Sequence, residues 1–171
     1  MELKGSTFTL RKLCLDDAVS LQKHADNINV SSFLLDRFPS PYTLDDAIDF
    51  INLKIKEDPV TNFAIITDEE VVGAIGVDMR QDIYSKTPLL GYWISELYSG
   101  KGIITESIGL ITDYAFANLD IICIQAHVLG KNPASMRALE KAGYIKQGIL
   151  ERSVIKNNEI LDEHLYAAYK N

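Results

Sequence analysis

The sequence predicts an α/β domain with a mixed, mostly antiparallel central sheet flanked by helices, and three observations carry that prediction. Apolar runs of strand length lie either side of a short polar turn, as in "NFAIIT", "DEE" and "VVGAIGVDM", the mark of an antiparallel hairpin. Other stretches repeat apolar residues every three or four positions, as one face of a helix does. One long helical stretch also separates two strongly apolar strands, an order that calls for a crossover and a parallel step between them.

From the N-terminus, "FTLRKL" alternates as a strand, and "LDDAVSLQKHADN" places Leu15, Ala18, Leu21 and Ala25 on one helical stripe. In "SPYTLDDAIDFINLKIKE", Thr43 is the expected cap, Asp45 and Asp46 suit a helix N-terminus, and Leu44, Ala47, Ile48, Ile51 and Ile55 keep helical spacing. The hairpin quoted above follows, and then "PLLGYWIS" as another buried strand. Ile104, Ile108, Ile111 and Ala115 form the apolar stripe of a helix ending near Asn118. "IICIQAHVL" is a strand; "NPASMRALEKAG" is a short helix capped by Asn132, with Pro133 in its first turn and Gly143 as its stop. The remainder, "YIKQGILERSVIKNNEILDEHLYAAY", reads as two strands turning at "KNNE".

The chain has 171 residues, 47% hydrophobic and 24% charged, and reads as a single domain over 1–171 with enough length to bury a core without metal or disulfides. A net charge of −7 argues against nucleic acid as a partner but leaves room for a small anionic ligand. Cys14 and Cys123 sit far apart in apolar settings and read as reduced core cysteines, with no metal-ligand spacing. "MELKGSTFTLRKL" lacks the apolar region of a signal peptide, and no run has the length of a membrane span, so a cytoplasmic protein with no membrane partner is expected.

The most informative stretch is "LYSGKGIITESIGL". Two glycines flank a lysine at the mouth of a helix, where the first backbone N–H groups lack partners and the dipole adds partial positive charge. Gly100 and Gly102 let the chain turn tightly and let a ligand approach those amides, which together form a nest for an anion. The dipole alone contributes only about 0.3–1 kcal/mol per charge, so several N–H bonds must act together. The triphosphate loop G-x-x-x-x-G-K-[ST] is excluded because Gly102 precedes Ile103. The dinucleotide fingerprint fails at Thr105. Taken alone, the glycines equally fit a plain loop before a helix.

"NPASMRALEKAGY" adds the second feature. With Asn132, Ser135, Glu140, Lys141, Gly143 and Tyr144 spaced as they are downstream of Gly100 and Gly102, the chain resembles the GNAT superfamily of acetyl-coenzyme A dependent N-acetyltransferases. Within it the likeness is greatest to the RimJ/RimL branch of ribosomal-protein N-terminal acetyltransferases, and it spans nearly the whole chain. The resemblance implies a GNAT-type fold. It also implies that the coenzyme pyrophosphate rests on the backbone of Tyr98, Ser99, Gly100, Lys101, Gly102 and Ile103. A bulged strand before the loop, at Tyr92, Trp93 and Ile94, would bond the pantetheine arm and polarise the thioester, where donors stabilise a developing oxyanion. Asn132 would bond the pantetheine arm, and Ser135 would act as general acid on the thiolate. Each residue also has a plainer role: Asn132 as a cap, Ser135 as a first-turn residue, Lys101 as a surface charge.

Two departures stand out. Leu97 occupies a motif position that is often Gln or Arg, and Val154 stands where the ribosomal branch carries its proposed basic glutamate. Glu151 is then the nearest acidic substitute for a catalytic base, with Asp162 and His164 as further candidates. The implied reaction is direct attack of an amine on acetyl-coenzyme A in a ternary complex, without metal. The N-terminal helices and the terminal hairpin are expected to shape the acceptor pocket. The acceptor would be a peptide N-terminus, a ribosomal protein or a small amine, and a homodimer is admitted. The alternative is a coenzyme A binding sensor or interaction module of the same fold that does not turn over.

Overall fold

Turn chemistry and alternation build the sheet. In the computed structural model, which describes residues 1–170, eight strands form one sheet. In spatial order these are β1 (Glu2–Lys4), β2 (Thr9–Arg11), β3 (Asn62–Thr67), β4 (Glu70–Asp78), β5 (Leu89–Ile94), β6 (Cys123–Leu129), β8 (Glu159–Tyr169) and β7 (Ile145–Lys156). Neighbours are antiparallel except β5 and β6, which run parallel. Asp68 and Glu69 at one hairpin, and Asn157 and Asn158 at the other, all take positive φ. Two-residue loops with both residues left-handed match the right-handed twist of the strands they join.

Helices α1 (Ala18–Ala25), α2 (Ile28–Ser31) and α3 (Leu44–Lys54) precede β3, α4 (Ile103–Asn118) joins β5 to β6, and α5 (Pro133–Lys141) joins β6 to β7. At the start of α3, Thr43 Oγ1 accepts from the Asp46 amide and the Asp46 carboxylate accepts from the Thr43 amide, so two of the end donors are satisfied reciprocally. The mixed, mostly antiparallel sheet flanked by helices that the sequence predicts is the one observed. β3 divides the core: Phe63 and Ile65 join one cluster with Ile108, Ile111 and Leu139, while Ala64 packs into a second with Leu21, Ala47 and Ile51.

Four local features differ from the sequence-based expectation. β1 was not predicted, since three residues carry no readable period, and α2 escaped for the same reason. Leu15 is exposed because the first turn before α1 is a 3-10 turn, Leu15–Asp17, which rotates it off the stripe. Cys123 is buried as expected, but Cys14 is exposed, and both are free thiols.

Candidate active site

β5 and β6 share a single bridge, Leu89 with Gln125, and then part. On its other side β5 pairs with β4 in unbroken register from Leu89 to Ile94, so the bulge expected at Tyr92–Ile94 is absent; the irregularity lies one strand over, between β3 and β4 at Ile65/Ile66. Antiparallel pairs alternate between bonded and non-bonded, and the Ser95 amide donates to the Val72 carbonyl at 2.7 Å. Counting back, Trp93 exchanges its backbone bonds with Ala74, whereas the N–H and C=O of Tyr92 and Ile94 face away from β4 into the gap. Parting of the strands, without a bulge, leaves those groups free.

The chain leaves β5 through one tight turn, Glu96–Tyr98, and reaches α4 by way of Gly100 at φ +74° and Gly102 at φ +82°. Only glycine takes that conformation without strain. A Cβ at either position would meet nothing within 4 Å, so the requirement is backbone conformation, with open space in front. No side chain caps α4, and its first internal bond is Glu106 N–H to Gly102 C=O at 3.1 Å. The amides of Ile103, Ile104 and Thr105 therefore have no acceptor within the helix. Lys101 does not line this cleft; its ammonium sits 4.8 Å from the Tyr98 ring centroid.

The cleft, about 630 Å³, brings together every sequence-identified coenzyme residue except Lys101, and also Ser135. Asn132 Oδ1 accepts from the Ser135 amide at 3.2 Å, the expected cap. The hydroxyls of Tyr92 and Ser135 are 2.6 Å apart. Burial pushes the Tyr92 phenol up to about 12, against the opposing pull of the Ser135 bond, so it stays protonated at neutral pH. No local sequence signal announces this link, since the two residues lie 43 positions apart.

Two other contributions escaped the sequence reading. Arg137 and Lys141, one turn apart on α5, reach the cleft, and counting the helical face of Ala134 and Ala138 would have found them. Asn29 and Phe33, in and just after α2, line its other rim. Asn27 and Asn29 donate to the Glu96 carboxylate, which these bonds hold below its usual range. Buried His24 bridges Ser95 Oγ at 3.0 Å and Glu70 at 2.9 Å, tying α1 to the point where β5 enters the glycine loop.

A second cavity, about 610 Å³, lies between β4–β5 and the α2–α3 segment and shares Leu34, Tyr92 and Trp93 with the first. Phe38 organises its wall, with ring centroids 4.8 Å from Tyr42 and 5.7 Å from Trp93. Arg37 pairs with Asp78, and Lys54 with Glu57 at 3.0 Å and Asp78 at 3.4 Å. Of the N-terminal helices, α3 lines this cavity, together with the segment after α2. The terminal hairpin β7–β8 adds no residue to its lining and acts at one remove, through Lys156 Nζ bonded to Asp36 at 2.7 Å.

Glu151 lines neither cavity. It is exposed on edge strand β7, inside an irregularity between Leu150 and Val154 where Arg152 takes φ +51°. That irregularity breaks the regular alternation of facing between Glu151 and Val154. Asp162 accepts from the Arg152 amide at 2.8 Å and pins the distortion. His164 is also outside both linings, its Nδ1 buried without a partner among the described residues.

Comparison with known proteins adds four findings. Residues 7–145 match the model of the acetyltransferase (GNAT) domain family. The probable N-acetyltransferase YjcK of Bacillus subtilis (strain 168) is 32% identical over 176 residues, covering 99% of this chain and 97% of that protein. The ribosomal-protein-serine acetyltransferase of Escherichia coli (strain K12) is 33% identical over 107 residues, 61% of this chain and 58% of that one. Among solved structures, RimL, a ribosomal alpha-N-protein acetyltransferase in complex with coenzyme A, superposes with a TM-score of 0.86 at 18% identity, covering 99% of this chain and 98% of that one. At that identity the likeness is one of fold.

Proposed function

The chain belongs to the GNAT family of N-acetyltransferases, and on that premise we propose that it acetylates a peptide or protein N-terminal amine by direct attack on acetyl-coenzyme A in a ternary complex. The observation that carries this reading is the meeting of two cavities at Tyr92 and Trp93, with the Tyr92–Ser135 pair at the junction. Coenzyme fits the first cavity on three grounds: unpartnered helix amides, two positive-φ glycines, and strand groups of Tyr92 and Ile94 that no neighbouring strand takes up. Arg137 and Lys141 add positive charge for its phosphates.

In the reaction the neutral amine forms the new C–N bond as the C–S bond breaks; the thiolate takes a proton from Ser135 Oγ, while the extra proton on the acylated nitrogen passes to water, and water returns a proton to Ser135 to complete the cycle. Tyr92, held protonated by burial, donates to Ser135 and steadies it as proton donor. The lack of an acidic side chain at the expected base position favours a low-pKa acceptor. An α-amino group near 8 is about one-tenth neutral at pH 7, against roughly one in a few thousand for a lysine near 10.4. Activity on a ribosomal protein, as named for the Escherichia coli relative, agrees with this choice.

The test is calorimetry with coenzyme A followed by thiol release from acetyl-coenzyme A across peptides and small amines. Binding with turnover on peptide N-termini is the expected result. Absence of coenzyme binding would refute the reading; binding without transfer to any amine would leave a coenzyme-binding module.

A further inference from the structure

We propose that the second cavity selects acceptors whose first residue carries a large apolar side chain, so that the preferred substrate is a peptide amine beside a leucine-, methionine- or phenylalanine-like group. This rests on the acetyl-transfer reading above and specifies its acceptor.

Position comes first. Leu34, Tyr92 and Trp93 line both cavities, so an amine poised at that junction from the side of α3 has its own side chain and following chain in the second cavity. At about 610 Å³ the space lies within the roughly 300–1,000 Å³ range of small-molecule sites and is far larger than an alanine methyl needs. A small first residue would leave most of it filled with water against aromatic surface.

The lining then sets the chemistry. Phe38, Phe50 and Trp93 are each only partly buried on this wall, and Leu35 and Leu53 extend it with exposed side chains. Large apolar groups left in water here gain by being covered. The two cations of the cavity are already engaged: Arg37 bonds Asp78, and Lys54 bonds both Glu57 and Asp78. A nucleotide phosphate or the carboxylate of an acidic residue has to compete with those carboxylates for them. Lys54 also lies 6.0 Å from the Phe50 ring centroid, occupying the ring face that a second ammonium of a polyamine would seek. Asp46 is held by Thr43, so apart from Asp49 what remains unmatched is apolar. Asp49, an exposed member of the lining with no hydrogen-bond partner among the described residues, offers one cation contact to a residue further along the peptide.

The test uses the full chain, acetyl-coenzyme A and a set of tetrapeptide amides identical except for Gly, Ala, Ser, Met, Leu or Phe in first place, with spermidine as the polyamine. Values of kcat/KM for the Met, Leu and Phe peptides are expected to exceed those for Gly, Ala and Ser by at least tenfold, within the 10–200-fold that apolar pockets achieve per group. Phe50→Ala should shrink the Leu-to-Ala ratio at least fivefold, with coenzyme A affinity unchanged within twofold, and Phe50→Leu should retain most of the ratio. Equal or greater rates with small first residues, or preference for spermidine, would overturn the selection proposed here while leaving acetyl transfer intact. If coenzyme binds and no amine is acetylated, the transfer reading falls and this inference with it.

Discussion

Replacing Gly102 with valine tests whether backbone amides or the neighbouring lysine hold the coenzyme. Gly102 sits at φ +82°, ψ −8°, the left-handed region, where an L-residue costs about 1–2 kcal/mol and a β-branched one more. An added Cβ meets nothing within 4 Å, so this penalty is conformational. A strained loop relaxes away from this geometry when empty, and binding must then restore it. Expressed in affinity, 1–2 kcal/mol is roughly 5–30-fold in Kd. Lys101→Ala removes only an exposed contact with Tyr98, worth about 0.5–1 kcal/mol at most, or roughly two- to fivefold. Calorimetry with coenzyme A on both variants is the assay, with thermal unfolding beside it. If the loop stays strained instead, the cost appears as a Tm lowered by about 2–4 °C per kcal/mol. Gly102→Asn, which tolerates left-handed backbone, should recover much of the loss. A larger effect from Lys101→Ala than from Gly102→Val would refute the backbone account.

Tyr92→Phe leaves half-buried Ser135 Oγ without its 2.6 Å partner; a hydrogen bond of this kind contributes about 0.5–1.5 kcal/mol, so kcat should fall roughly 2–13-fold with coenzyme A affinity unchanged, and Ser135→Ala should fall at least as far. With Tyr92 pushed up to about 12, kcat/KM for a peptide should rise with pH until its amine is neutral near pH 8 and then stay level to pH 10; a falling limb in that interval would contradict a phenol that stays protonated. Asp17 accepts from both Arg11 nitrogens and the Cys14 amide, and although its burial acts to raise its pKa, those bonds outweigh it and hold the carboxyl low. Asp17→Asn should cost about 1–3 kcal/mol at pH 7, seen as a lower urea midpoint. The deficit should be full above about pH 4 and disappear as pH falls through the depressed folded value, the sign for a carboxylate stabilised in the native state.

Longer elements were legible because their signals are redundant. α3 announced itself through Thr43, Asp46 and the Ala47–Ile51 stripe, and α5 through Asn132, Pro133 and Gly143, each a start, a face or a stop that agreed with the others. The first cavity was readable for the same reason, since Gly100, Gly102, Asn132 and Ser135 lie in two local motifs whose helix ends point into one cleft. The second cavity was not. Phe38, Phe50 and Trp93 come from three separate elements, and nothing local says that the segment after α2 folds across β5. Glu151 shows the opposite failure: a parity count along β7 presumes regular pleating, and the distortion at Arg152 removes it. The missing β5 bulge was inferred from kinship, while the free strand groups it was meant to provide arise from separation of β5 and β6.

That separation also divides the molecule mechanically. One bridge, Leu89 with Gln125, is the ladder contact between a five-strand half and a three-strand half, and α4 spans them. An extended ligand with amides of its own, lying along Tyr92 and Ile94 while touching α5, would clasp the halves together. Saturation at a hundredfold over Kd adds about 2.7 kcal/mol to stability, and hydrogen exchange should register it in β5 and in α5 at once, two segments 39 residues apart in sequence between Ile94 and Pro133 that the ligand makes into one cooperative unit.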